Sequence, residues 1–357
     1  MTKTDHSDAH FALGDLAAFL EAALLASGAD ADTAESATRA MMHATRFGVD
    51  SHGVRLLDHY ITEMEHGRVT KTPSLAFSQT LPAIAALDAG HAQGARATFA
   101  AMEKAMEMAE TCGIGAVGIG NSAHFGAAGA YAFAAAERGF FGYACCNADK
   151  IVKLHGGAAP FHSTNPHAWA MPMPDGRHWF LDMATSAIPL NRVKLYRSLG
   201  TELPEETAAD AAGEPTTDAN DAVMLMPLGG AFGFKGAGLA GVAEVLSAVM
   251  NAMNLSEDVL PMGGPDLSTP RKMGAFVMAM RVDAFASRAS VDETMARYLE
   301  KLRSSAAQPG ETVMAPGDRE WAVADARERS GTTLDPDTAD AFTRLAQRYG
   351  IAPLKPL

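Results

Sequence analysis

Apolar residues recur at helical spacing over residues 11–27, at Phe11, Leu13, Leu16, Phe19, Leu20, Leu24 and Leu25, and predict an amphipathic helix. A second helix is predicted over 33–47, TAESATRAMMHATRF, with Asp32 or Thr33 as its cap and Glu35 and Ser36 in its first turn. A third runs from Val54 to His66 and stops at Gly67. The pattern then changes. Ser74 to Gly90 reads as strand and turn, whereas 93–111 is rich in alanine and methionine and predicts helix. GIGAVGIGNS, ending at Ser122, reads as a short apolar strand opening into a loop; 126–138 predicts helix and FFGYACCNA (140–148) a buried strand. Proline and asparagine crowd 160–190, with one strand expected at His178–Asp182, and the polar, turn-rich stretch 201–222 is expected at the surface. A glycine-rich loop, GGAFGFKGAG, leads into an apolar helix over 239–253. A strand over 275–282 and helices over 290–305 and 336–349 complete the pattern. There is no internal repeat, and strands interleaved with helices make the chain α/β or α+β.

Length and composition narrow the class. With 357 residues the chain exceeds one ordinary core and suggests about two domains of roughly 100–200 residues each. Apolar residues make up 48% and charged residues 20%, the balance of a soluble globular protein. The net charge of −13 and the lack of any basic run argue against a nucleic-acid partner. They do not argue against anionic small molecules, since a site can carry its own arginines and lysines. The first 15 residues are polar, with no apolar secretory core, and no apolar run approaches the roughly 20 residues of a membrane helix. Cys112, Cys145 and Cys146 are odd in number and two are adjacent, which points to a reduced, cytoplasmic protein without a zinc framework.

Gly113, Gly115 and Gly118 satisfy G-x-G-x-x-G, but here a helix precedes and the glycines lie in the strand itself. A dinucleotide fingerprint needs the reverse order, so the glycines read as close strand packing. His43, His52, His59 and His66 invite a metal reading. Seven-residue spacing sets successive members about 10 Å apart along a helix, too far for one ion, and no metal is expected.

Three clusters carry chemistry. Ser51, His52 and Gly53 sit at a helix junction with Arg55 one turn beyond. A histidine there can exchange protons near neutrality, and an arginine can clamp a carboxylate. The same residues also suit a capped helix start. Asn121-Ser122-Ala123-His124-Phe125-Gly126 follows a strand and precedes a helix, where an α/β fold exposes polar groups to ligands, although a loop histidine bonded to backbone fits equally. Pro227 to Gly236 is a glycine-rich loop carrying Lys235, suited to a phosphate or to a flexible linker.

In order and spacing these clusters resemble the malate/L-lactate dehydrogenase family of the second type. The matching segments are R46-F-G-V-D-S-H-G-V-R55, N121-S-A-H-F-G126, S163-T-N-P-H-A168, D182-M-A-T-S186, G213-E-P-T-T-D218, M226-P-L-G-G230 and F234-K-G236. The resemblance covers about residues 10–330. It implies a non-Rossmann, mixed-sheet NAD(P)-binding α/β fold with a helical part built from both chain ends, divided as 1–75, 76–310 and 311–357. It implies a homodimer acting on a small carboxylate with NAD or NADP. His52 and His124 would be the acid/base candidates, with Ser51 orienting His52 or touching substrate. Arg55 and Asp149 would bind substrate; Asp182, Met183, Ala184, Lys235, Pro316, Gly317 and Asp318 would contact the cofactor. Ala148, Ala237 and Asn191-Arg192 depart from residues common in relatives and leave the substrate and the dinucleotide open. A cyclic-imine reductase shares the same motifs, and a non-catalytic ligand-binding protein is the alternative from another class.

Overall fold

Seven strands from distant parts of the chain meet in one sheet, in the order Ala76–Leu81, Ile84–Asp88, Ile114–Ser122, Met273–Arg281, Phe140–Cys146, His167–Met171 and Trp179–Met183. Only Ile84–Asp88 and Ile114–Ser122 run parallel; every other neighbouring pair is antiparallel. A parallel, doubly wound dinucleotide sheet is therefore excluded. This computed structural model describes residues 9–357, so the start of the polar N-terminal stretch lies outside the described residues.

The chain opens with α1 (Leu13–Ala26) and α2 (Ala31–Arg46). The cap of α2 is Asp30 rather than Asp32 or Thr33: its carboxylate accepts from Thr33 N–H at 2.8 Å, one of the donors a helix start leaves free. A single turn at Asp50–His52 and another at Val54–Leu56 lead into α3 (Leu57–Glu65). Two long connections then cover one face of the sheet with α4 (Gly94–Cys112) and α5 (Gly129–Glu137). Met102, Met106, Tyr131 and Phe133 from these helices pack on Leu87, Val117, Ile119 and Val277 of the sheet. As expected, α4 ends before Gly113 and the glycines of the GxGxxG pattern lie within the strand.

Near the other end, α10 (Pro336–Tyr349) returns to α1, where Phe342 stacks on Phe19 with ring centroids 4.8 Å apart. A two-residue pairing of His10–Phe11 with Thr332–Thr333 closes this helical part. A second apolar core joins residues from both chain ends here, including Leu16, Leu20, Ile61 and Leu345.

Other features also depart from the sequence expectations, among them two further strands in 160–190 and a helix over Leu190–Leu199. The stretch 201–222 is not merely surface. It contributes Ala208–Ala209 and Pro215–Thr216 to a separate five-stranded sheet with Met224–Leu225, Val152–Lys153 and Pro160–His162. Its alanines at 208, 219 and 222 share a third core with Val152, Ile188 and Val193, the last from α6 (Leu190–Leu199). The apolar helix begins earlier than 239, as α7 (Phe234–Glu244), and continues into a wider turn over Val245–Val249, so Lys235 lies in its first turn. After α8 (Arg288–Arg303), α9 (Asp318–Ser330) is a helix that the hydrophobic pattern does not reveal. It is polar and buries only Trp321 and Ala324.

Candidate active site

The junction before α3 is shaped by one close approach. A Cβ on Gly53 would stand 2.4 Å from Thr45 Oγ1, so only glycine fits. That threonine oxygen accepts from Val54 N–H at 3.0 Å, fastening the turn to α2. From the far end of the chain, Arg327 on α9 grips the Asp50 carboxylate with two N–H donors at 2.6 and 2.8 Å. The Ser51-His52 turn is thus held from both sides.

His52 is half-buried, and its Nδ1 lies 2.7 Å from Ser51 Oγ. Desolvation, with the Arg55 charge adding to it, pushes its pKa down to about 4. His124, in the loop entering α5, stacks beside it: the ring centroids are 5.7 Å apart and the planes 22° from parallel. Burial foremost, then the charges of His52, Arg271 and His59, hold His124 well below the usual histidine range. Its Nδ1 lies 2.9 Å from the Tyr60 hydroxyl. Both rings therefore have one nitrogen occupied and are neutral near pH 7.

Arg55 is exposed and pairs with no acid among the described residues, so its guanidinium is available to an anion. Asp149 is not free: one carboxylate oxygen accepts from Arg271 and the other from Met262 N–H at 3.2 Å. Arg271 is 1% exposed and also donates to Leu260 C=O at 2.8 Å. On the same flank Glu63 and Arg68, both 1% exposed, pair at 3.2 Å, with His59 against the other Glu63 oxygen at 3.4 Å. Neither Tyr60 nor Arg271 stood out in the sequence: Tyr60 lies within the third helix, and Arg271 sits between Pro270 and Lys272 outside any motif.

Asp182 is the penultimate residue of its strand and lies under the start of α5, where Gly129 N–H donates to Oδ2 at 2.9 Å. A Cβ on Gly129 would meet that oxygen at 2.7 Å, so the glycine permits the contact. Burial pushes the Asp182 carboxyl up to about 6, against the lowering effect of that hydrogen bond. Met183 and Ala184 follow it, half-buried. Two further segments flank this run. Leu228 N–H of the glycine-rich loop donates to Thr185 C=O at 2.8 Å, and Gly317 sits against the Phe180 ring. Pro316 is half-buried in that turn, whereas the Asp318 carboxylate is engaged by Arg303 and by Ala315 N–H at 2.8 Å. Lys235 is exposed, with its ammonium 5.4 Å from the Phe232 ring centroid. Among the described residues no side chain caps α7, so its first N–H groups are unpaired by side chains there. Free helix N–H groups beside a lysine suit the diphosphate of a dinucleotide. Among the described residues no group of three or more histidine, cysteine or acidic side chains is arranged to hold a metal.

A sequence profile described as malate/L-lactate dehydrogenase matches residues 11–343. A malate dehydrogenase of Pyrococcus abyssi is 29% identical over 96% of this chain and 95% of its own. A (2R)-3-sulfolactate dehydrogenase (NADP(+)) of Chromohalobacter salexigens is 31% identical over 88% of this chain and 90% of its own. The crystal structure of malate dehydrogenase from Entamoeba histolytica superposes with a TM-score of 0.90 at 25% identity, covering 96% of this chain and 98% of that one.

Proposed function

Because the chain belongs to the malate/L-lactate dehydrogenase family, we propose that its paired histidines carry the proton in the hydride transfer that the family performs. The protein is an NAD(P)-dependent oxidoreductase interconverting small 2-hydroxy acids and 2-oxo acids, of the malate, sulfolactate or ureidoglycolate kind. The observation that supports the assignment of roles is the stacked pair His52–His124, each ring with Nδ1 on a hydroxyl and Nε2 open.

In this reading Arg55 holds the substrate carboxylate through its unpaired guanidinium, a bidentate match of planar groups. Ser51 fixes the His52 ring. In the oxidative direction the neutral imidazole at the reacting hydroxyl accepts its proton at Nε2; in the reductive direction the same nitrogen returns it to the forming alkoxide. The nicotinamide, when bound, supplies or receives the hydride. Asp182, Met183, Ala184 and the Pro316–Asp318 turn would contact the dinucleotide, with Asp318 shaping that turn through Arg303. Lys235 and the uncapped start of α7 would hold its phosphates. Asp149 acts through Arg271 rather than as a free carboxylate on the substrate.

The protein is proposed to work as a homodimer, supported by the apolar residues that α7 exposes, and to reside in the cytoplasm, supported by three unpaired cysteines. No helix of the described residues is long and apolar enough to cross a membrane. The division of the chain at about 75 and 310 is proposed on the same footing. Oxidation of NADH and NADPH with oxaloacetate, pyruvate, 3-sulfopyruvate and piperideine-2-carboxylate tests the function. Turnover of one of the oxo acids is expected; turnover of the imine alone would replace this reading with the reductase one.

A further inference from the structure

We infer that Arg327 is a positioning residue: from α9 it fastens the Asp50–His52 turn to the end of α2, and through Asp50 it holds the His52 ring in place beside His124. The inference rests on the reading that the paired histidines carry the proton.

The turn cannot fix itself. It is a single turn of three residues, too short to be stable alone. Gly48 stands two residues before it, at a φ of +80°, and Gly53 directly after it, so the backbone is permissive on both sides. Helix α9 closes on this stretch at two points. A Cβ on Gly48 would stand 3.0 Å from Val323. One helical turn further on, Arg327 bridges two elements. Its Nη1 donates both to Thr45 C=O, at the end of α2, and to Asp50 Oδ1 at 2.6 Å; its Nη2 donates to Oδ2 at 2.8 Å. Among the described residues the Asp50 carboxylate has no other partner.

An exposed ion pair usually contributes little, and the Asp50 side chain is 60% exposed. This pair differs in geometry. The planar fork meets the carboxylate at two points, and the bond to Thr45 fixes the guanidinium itself, which is 18% exposed. Its main effect is therefore on where the turn sits. With Ser51 Oγ accepting from His52 Nδ1–H, the Nε2 lone pair is free to take a proton as long as the ring keeps its place. Glu328, the next residue of α9, supplies an internal control. It accepts from Arg46 of α2 at 2.8 Å and, among the described residues, bonds neither to the turn nor to the histidines. Plain attachment of α9 to α2 can thus be separated from a hold on His52.

The test uses the full-length protein and the variants Arg327→Gln, Asp50→Asn and Glu328→Gln. With whichever oxo acid the wild type turns over, kcat should fall about 10–100-fold in the first two, as a small misplacement of a reacting group would cause. In Glu328→Gln it should stay within about twofold. Asp50→Asn keeps the bond from Arg327 to Thr45 and so covers the case in which Arg327→Gln does not fold. NMR titration of the His52 ring without substrate gives a readout independent of turnover. Its midpoint should rise from about 4 toward 6.5 in both Arg327→Gln and Asp50→Asn, because a released ring meets water. A direct effect of the lost charge would instead move it up in the first and down in the second. Among the described residues the charged and titratable groups facing the ring are Arg55 and His124, and all three variants keep them. Opposite shifts, an unchanged midpoint, or an equal fall of kcat in Glu328→Gln would overturn the inference. Should none of the oxo acids turn over, the proton-transfer reading fails, while the titration still decides whether Arg327 places His52.

Discussion

His52 and His124 stack with ring centroids 5.7 Å apart, one from the turn before α3 and the other from the loop entering α5. Two imidazoles this close cannot both hold a proton cheaply, since each positive ring raises the cost of the other. Burial acts in the same direction. The pair is therefore poised to take up a single proton, and only when substrate places an anion beside it.

Replacing either ring tests that division of labour. Loss of the ring that exchanges the proton should lower kcat by about 10²–10⁴-fold, the usual worth of general acid–base help. Loss of the other, which acts on its neighbour's charge, should cost less. His52→Ala and His124→Ala, each measured by steady-state kinetics with the thermal midpoint as control, give the comparison. Near-normal turnover in both would remove the histidines from the mechanism.

The pH profile follows from the depressed values. In the oxidative direction the free enzyme needs a neutral imidazole, and His52 stays neutral down to about pH 4. The acidic limb of kcat/KM for the hydroxy acid should therefore lie near pH 4, not near 6.5 where an ordinary histidine titrates. Lowering pH from 8 to 6 should leave kcat/KM almost unchanged if His52 is the base. A limb centred near 6.5 would contradict the burial of the pair.

How much of this was legible in the sequence differs by element. The first helix was readable because its apolar face recurs every three to four residues, and the one ending at Cys112 from its run of alanine and methionine. The order of helix, glycine and strand around Gly113 was enough to dismiss the dinucleotide fingerprint, and the sheet agrees. By contrast α9 buries only Trp321 and Ala324, so no periodic stripe announces it. The alanines at 208, 219 and 222 share a core with Val152, Ile188 and Val193, but their polar neighbours in the sequence mask them. At the site, Ser51, His52, Arg55 and His124 stood out as chemistry-bearing residues in loops. Tyr60 did not, because a tyrosine on a helix is usually packing. Arg271 could not, since its closeness to His124 exists only after folding.

Asp182 offers a separation of binding from stability. Its carboxyl is pushed up to about 6 by burial, so its charge weighs against the folded state. That group contributes stability below its unfolded pKa near 3.8 and loses it as pH rises through about 6. Asp182→Asn keeps an oxygen for Gly129 N–H and removes the charge. The variant should therefore match or exceed the wild-type thermal midpoint at pH 8, while its KM for NAD(P)H rises. A lowered midpoint with an unchanged KM would mean that Asp182 holds the fold and not the dinucleotide.

His43 bears on acid stability away from the site. It lies half-buried among Phe47, Phe133 and Phe180, with ring centroids 4.8, 5.2 and 6.1 Å away. Burial, then the charges of Arg46 and Arg39, depress its pKa from 6.5 to about 3. The unfolded chain binds a proton there that the folded chain refuses. Its contribution is thus complete above pH 6.5 and lost as pH falls toward 3. In His43→Gln, urea midpoints should fall less between pH 7 and 4.5 than in wild type. Parallel curves for the two proteins would show that some other group governs the acid limb.

The outer face of α7 and the turn after it bears on assembly. Leu239, Val242, Val245 and Val249 recur at steps of three or four along one side and are all exposed, as is Met250 beside Val249, with Val249 and Met250 at 56% and 67%. The opposite side, Ala240, Ala243, Ser247 and Ala248, is buried, with Ala243 packed against Tyr143 and Cys145 of the sheet. An exposed apolar face on a helix whose other side is already buried marks an interaction surface. Phe232 and Phe234 extend the same exposed surface at the start of α7. On the proposed homodimer reading a second copy would cover this patch, apolar against apolar, as a two-fold interface requires. Val245→Lys with Val249→Lys places two like charges on each copy at the centre of such a contact, where desolvation and repulsion oppose association. By light scattering the wild type should have about twice the 37.4 kDa chain mass, and the double variant the mass of one chain. A wild type that scatters as a single chain at micromolar concentration would leave this face to some other partner and end the homodimer reading.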